Sequence, residues 1–90
     1  MSGAVLVQLP AALLALFPDA PARVRMEAAT VCHAIDALDA RWPGMRDRLC
    51  DSAPRIRRHI NVFVDGERAG LDTPLAPGAE VFVITAISGG

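Results

Sequence analysis

Apolar residues along this chain fall into short runs of two distinct periods, separated by proline and glycine, and together they predict a small α+β domain. "AVLVQLP" is short, β-branched and closed by Pro10, so residues 4–9 read as a strand. In "AALLALF" the alanines and leucines favour a helical turn before Pro18 and Pro21 interrupt it. Val24 and Met26 then alternate with Arg23, Arg25 and Glu27, the period of a strand with one face in water. A different period follows. Val31, Ile35, Leu38 and Trp42 form one helical stripe, Asp36, Asp39 and Arg41 lie off it, Thr30 is placed to cap its start, and Pro43 and Gly44 end it. "MRDRLCD" adds one more helical turn, with Met45 and Leu49 spaced to reach the core together.

The second half is richer in strands. "HINVFV" leads into Asp65-Gly66, a strong two-residue hairpin signal, and "ERAGL" is expected to return beside it. Pro77-Gly78 predicts a type II turn, with proline fixing φ at the first corner and glycine supplying positive φ at the second. "EVFVITAI" is apolar on both alternating faces, Val81 and Val83 on one and Phe82 and Ile84 on the other, which suits a strand in the middle of a sheet. The order strand, strand, helix, strand, strand, strand predicts a mixed sheet of four to five strands with one main helix packed across one face. If the first and last strands pair in parallel, that helix is the crossover between them, and the arrangement is the ubiquitin-like β-grasp.

Composition narrows the function classes. Ninety residues support one domain, taken as residues 1–86 followed by a flexible tail, residues 87–90. The chain is 52% hydrophobic and 21% charged, which suits a folded domain rather than a disordered one. A formal net charge of −1 lacks the basic excess of a nucleic-acid binder. "MSGAVLVQLPAALLALF" has no basic start, is interrupted by Gln8 and Pro10, and is too short to span a bilayer, so it reads as folded structure. Nothing signals secretion; no membrane association is expected, and the cytoplasm is the expected compartment. There Cys32 and Cys50 read as thiols, with a single disulfide left open. They and His33 and His59 lack the spacing of a metal site, so no metal and no bound cofactor are expected. Asp36 and Asp39 read as a solvated helix face rather than an acid/base pair. "RIRRH", residues 55–59, is either a solvated loop before a strand or a docking patch for an acidic partner.

The terminal "ISGG" carries the most chemistry. Two glycines are either a frayed end or a segment made narrow enough to thread a channel, where a Cβ would clash, so that the main-chain carboxylate can react. "NVFVDGE", "TPLAPGAEVFVI" and "ISGG", in this order, resemble the MoaD/ThiS family of ubiquitin-like sulfur carriers across essentially the whole chain. "WPGMRDRLCD" followed by "RHINVFVDGE" is most similar to the cysteine-biosynthetic, CysO-like carriers. The resemblance implies a carrier with no catalytic residues of its own. Gly90 would be adenylated by an activating enzyme that consumes ATP and would then hold sulfur as a thiocarboxylate, with Ser88 and Gly89 entering the channel before it. The implied partners are a ubiquitin-activating-enzyme-like sulfurtransferase and a downstream acceptor, either a cysteine synthase or the large subunit of molybdopterin synthase. The free protein is expected to be a monomer. The alternatives are the small subunit of molybdopterin synthase and a ubiquitin-like protein modifier.

Docking is expected through one face of the sheet, at Phe63, Phe82, Ile84 and Ile87. If Val62, Val64, Val81 and Val83 fill the core, Phe63 and Phe82 lie on the open face as an apolar patch. The opposite register buries the phenylalanines and exposes the valines.

Overall fold

The structure, a computed structural model, describes residues 4–51 and 55–85. In chain order its elements are β1 (Ala4–Gln8), α1 (Ala11–Leu16), β2 (Arg23–Glu27), α2 (Val31–Arg41), α3 (Met45–Leu49), β3 (Ile60–Val64), β4 (Glu67–Ala69) and β5 (Glu80–Thr85). The strands form one five-stranded sheet in the order β2-β1-β5-β3-β4. β1 and β5 pair in parallel and every other neighbour is antiparallel. This is the ubiquitin-like β-grasp, with β5, the strand apolar on both faces, at its centre.

One parity of strand residues joins the helices in a single core. Val5, Val7, Val24, Met26, Val62, Val81 and Val83 are buried with Val31, Ala34, Ile35 and Leu38 of α2. Leu13 of α1 and Met45 and Leu49 of α3 are buried in the same cluster. All three helices therefore cover one face of the sheet, and the other parity is left for solvent. Trp42, predicted on the helical stripe, is the C-cap of α2 and only half-buried. "AALLALF" resolves as a six-residue helix rather than a turn.

The turns follow their chemistry. Asp65 and Gly66 both have positive φ, 51° and 89°, as a type I′ hairpin requires. Gly78 sits at φ 85°, and the Ala79 amide donates to the Ala76 carbonyl at 3.0 Å, closing the turn that Pro77 begins. The Asp65 carboxylate accepts from the Glu80 amide at 3.0 Å, while the Asp65 amide donates to the Glu80 carbonyl at 2.9 Å, so the hairpin is tied to the start of β5.

One expectation needs correction. The returning strand predicted over "ERAGL" stops at Ala69, because the chain beyond it serves α2 instead. The amides of Val31 and Cys32 donate to the carbonyls of Thr73 and Leu71 at 3.1 and 2.9 Å, and the His33 amide donates to Thr30 Oγ1 at 3.2 Å. Donors that the first turn of a helix leaves unpaired are thus satisfied by a neighbouring loop as well as by a cap. As a result β3 runs two residues past the end of β4, and Ile60 and Asn61 pair with β5 alone.

Candidate functional site

The open face of the sheet is built from the residues that alternate with the core. On β5, Phe82 is half-buried and Ile84 is 44% exposed, while their neighbours Val81 and Val83 are 2% and 4% exposed. On β3, Phe63 and Asn61 are half-buried and Val62 is in the core. The register that leaves Phe63 and Phe82 on the open face is therefore the one adopted. The observed pairings join these residues into a row across all five strands. Arg23 on β2 is opposite Gln8 on β1, Gln8 is opposite Phe82, Phe82 is opposite Phe63, and Phe63 is opposite Arg68 on β4. Beside it, Arg25 faces Leu6 and Leu6 faces Glu80, and Ile84 faces Asn61.

The face thus has an aromatic centre flanked by arginines at both ends of its main row. Cross-strand aromatic pairs are favourable in themselves, yet here one side of the pair meets water. An apolar centre with a charged rim, Arg23, Arg25 and Arg68 together with Glu27 and Glu80, is a composition found at protein-binding surfaces. At the rim, Arg68 Nη2 donates to Asn61 Oδ1 at 2.8 Å, which holds the guanidinium along the edge of the patch. The involvement of Arg68 was available from the hairpin alone, since a two-residue Asp-Gly turn sets Phe63 against it. Gln8 depends on the parallel pairing of β1 with β5, which no turn fixes.

Of the remaining residues singled out by sequence, Ile87, Ser88, Gly89 and Gly90 lie outside the described residues. β5 is described as far as Thr85, opposite Ile60, so the face and the glycine pair belong to one continuous stretch of chain. Asp36 and Asp39 do not form an acid/base pair, and neither is an idle surface charge. Asp39 Oδ1 accepts from the amides of Gly44 and Arg46, both at 3.0 Å, and so caps α3. Asp36 forms an ion pair with Arg46, whose guanidinium is held above its ordinary pKa by the Asp36 charge. His33 and His59 are exposed at separate places. Among the described residues no three His, Cys, Asp or Glu side chains come together as a metal site. Cys32 is half-buried, Cys50 is buried, and both are free thiols. Burial pushes the Cys50 thiol up, opposed by the nearby Arg46 charge, so Cys50 is not a thiolate poised for attack. No helix among the described residues is long and apolar enough to cross a membrane.

Comparison with known proteins adds to this geometry. The chain matches the ThiS family over residues 7–90. It is 37% identical over 62 residues to small archaeal modifier protein 1 of Haloferax volcanii, covering 69% of this chain and 71% of that protein. It is 34% identical over 67 residues to the sulfur carrier protein CysO of Mycobacterium bovis, covering 68% of this chain and 72% of that one. Among solved structures, a chain of the BexX/CysO complex of Amycolatopsis orientalis superposes with a TM-score of 0.84 at 29% identity, over 96% of this chain and 99% of that one. The crystal structure of the Haloferax modifier gives a TM-score of 0.81 at 31% identity, over 97% and 99% of the two chains. The family match runs through Gly90, and the fold and its strand order agree with it: the chain belongs to the ThiS family, the ubiquitin-like sulfur carriers.

Proposed function

We propose that this protein is a sulfur carrier whose Gly90 carboxylate is adenylated by a partner enzyme and converted to a thiocarboxylate, which donates sulfur in the biosynthesis of cysteine or another sulfur-containing metabolite. The observation that carries the reading is that the aromatic open face lies on β5, the strand whose chain leads to the glycine pair within five residues. Phe82 and Ile84 are on β5, and five residues separate Thr85 from the Gly90 carboxylate inclusive. Five residues extend to about 17 Å at most, so a partner gripping Phe63, Phe82 and Ile84 brings the carboxylate within that distance of the end of the sheet. In sequence Ala86, Ile87 and Ser88 precede Gly89 and Gly90, which carry no Cβ to clash in a narrow channel.

The chemistry requires a partner. A carboxylate is a poor electrophile at neutral pH. Attack of a carboxylate oxygen on the α-phosphorus of ATP expels pyrophosphate and leaves an acyl-adenylate. A sulfur nucleophile then adds at the acyl carbon, and AMP leaves. Each step needs the reacting atoms held at bonding distance, which is the service of a docked partner and a threaded tail. ATP is therefore the partner's substrate, and the carrier acts as a co-substrate. The similar CysO chain of Amycolatopsis orientalis is found in a complex with BexX, which supports a docked partner for this chain too.

A second reading is favoured by the likeness to small archaeal modifier protein 1, namely attachment of Gly90 to amines of other proteins. The two readings share activation and diverge afterwards. The chain contains no lysine, so as a modifier it could not form lysine-linked chains of itself. The test of the shared step is pyrophosphate release by the adenylating enzyme of the source organism with ATP. Release that depends on this chain and disappears when Gly90 is deleted supports the proposal; release unaffected by the deletion refutes it.

A further inference from the structure

The early end of β4 leaves a groove at the far edge of the sheet. β3 continues to Ile60 with no strand on its β4 side, and the space is bounded by residues 55–58 on one side and by the chain leaving β4 on the other. The groove has a volume of about 380 Å³. Four arginines line it, Arg55, Arg57, Arg58 and Arg68, against one carboxylate, Asp72. In a chain whose net charge is −1, this is a local concentration of positive charge.

Little of that charge is compensated among the described residues. Arg55 meets Asp51 only at 3.7 Å, with its side chain 75% exposed. Arg57 Nε donates to the Asp47 main-chain carbonyl at 2.8 Å, and Arg68 donates to the neutral Asn61 amide oxygen, so both cations are oriented without being neutralised. Arg58 is exposed. The floor is apolar, supplied by Ile56, Ile60 and Ala69. Guanidinium groups oriented around an apolar trough favour a carboxylate-bearing chain with aliphatic stems, since each carboxylate can take a forked pair of hydrogen bonds while its stem covers the floor.

We propose that this groove binds an acidic segment of a protein partner. The position gives the contact a purpose. Ile60, on the floor, is opposite Thr85, the last described residue of β5, so the groove flanks the strand end that leads to residues 86–90. A partner holding the aromatic face and the tail would bring its own surface over the arginines. Charge pairing there would speed encounter and set orientation. The proposal rests on the carrier reading for the reason a partner is present, but its test does not involve Gly90.

The test uses the full chain, isotopically labelled for amide NMR and titrated at low salt with a short poly-glutamate peptide. The expected result is saturable shifts at residues 55–61 and 68–72, weakened by added salt. Arg55→Glu with Arg58→Glu should reduce the affinity by about tenfold or more, whereas Arg41→Glu, exposed at the end of α2 and outside the groove, should leave it unchanged. Arg58→Glu alone carries the comparison should the double variant fail to fold. Shifts centred on β2, equal affinity for all variants, the same response to inorganic phosphate at matched charge, or tighter binding of a uridine oligonucleotide would each overturn the proposal. Intact peptide binding with no pyrophosphate release would instead count against the carrier reading and leave the groove assigned.

Discussion

Replacing Phe82 by Asp, compared with replacing Val81 by Asp, separates docking from folding on a single strand. Phe82 is half-buried on the open face, so the variant forfeits about half of the 1.5–3 kcal/mol that full burial of a phenylalanine is worth. An aspartate in a central strand costs up to about 1 kcal/mol more. The sum is about 2 kcal/mol. For 90 residues, an unfolding entropy of roughly 2.1 cal/mol/K per residue converts this to a fall in Tm of about 10 °C, with the native state retained at room temperature. Val81 is 2% exposed, and a carboxylate there has no partner in the apolar core. That penalty is several kcal/mol on top of the lost valine packing, comparable to the whole stability of a small domain, so Val81→Asp should be unfolded. Thermal circular dichroism with the fluorescence of the single Trp42 reports both outcomes. Binding is then measured by calorimetry against the adenylating enzyme. Loss of a central aromatic anchor costs about 2 kcal/mol or more, so Phe82→Asp should bind at least about thirtyfold more weakly while folded. Two results refute the reasoning: a Phe82→Asp variant as unfolded as Val81→Asp, or one that is folded and binds like wild type.

Three further outcomes follow from local contacts. Asp39→Ala removes the acceptor for two amides at the start of α3 and should lower stability by about 1 kcal/mol, whereas Asp39→Asn should retain most of it, as read in urea unfolding. Gly66→Val places a β-branched side chain at φ 89° and should cost about 1–3 kcal/mol through strain alone, since a Cβ there meets nothing within 4 Å. Iodoacetamide should label Cys32 at least about tenfold faster than Cys50, which is 4% exposed. Because burial raises the Cys50 pKa above its ordinary 9.0, the folded state keeps the proton that the unfolded chain loses first. This contribution to stability is complete below about pH 9 and declines as pH rises beyond it, a decline that Cys50→Ala should lack.

The central elements could be read from the chain because each rests on local chemistry. The both-faced strand at residues 81–84, the Asp65-Gly66 turn and the stripe from Val31 to Leu38 need only side-chain period and backbone preference. Side-chain period alone left two registers for Phe63 and Phe82; the one adopted buries Val62, Val81 and Val83, while Val64, expected in the core with them, is only half-buried. What could not be read depends on distant segments. β4 ends at Ala69 because the carbonyls of Leu71 and Thr73 are required by α2, some forty residues earlier in the chain. The role of Asp39 appears only when α3 folds back against α2. The arginines at residues 55–58 are visible as a cluster, but their meeting with Arg68 across a groove depends on where β4 stops.

The most direct test of the carrier account is intact and fragment mass spectrometry of the chain after incubation with the adenylating enzyme, ATP, a persulfide donor and a thiol reductant, which cleaves the acyl disulfide that persulfide attack leaves and frees the thiocarboxylate. The account predicts exchange of one oxygen for sulfur, located on Gly90, unchanged in Cys32→Ser and Cys50→Ser and abolished by any residue added after Gly90, with Tm unaffected. Sulfur found on a cysteine, or a chain extended beyond Gly90 that is still charged, would contradict it.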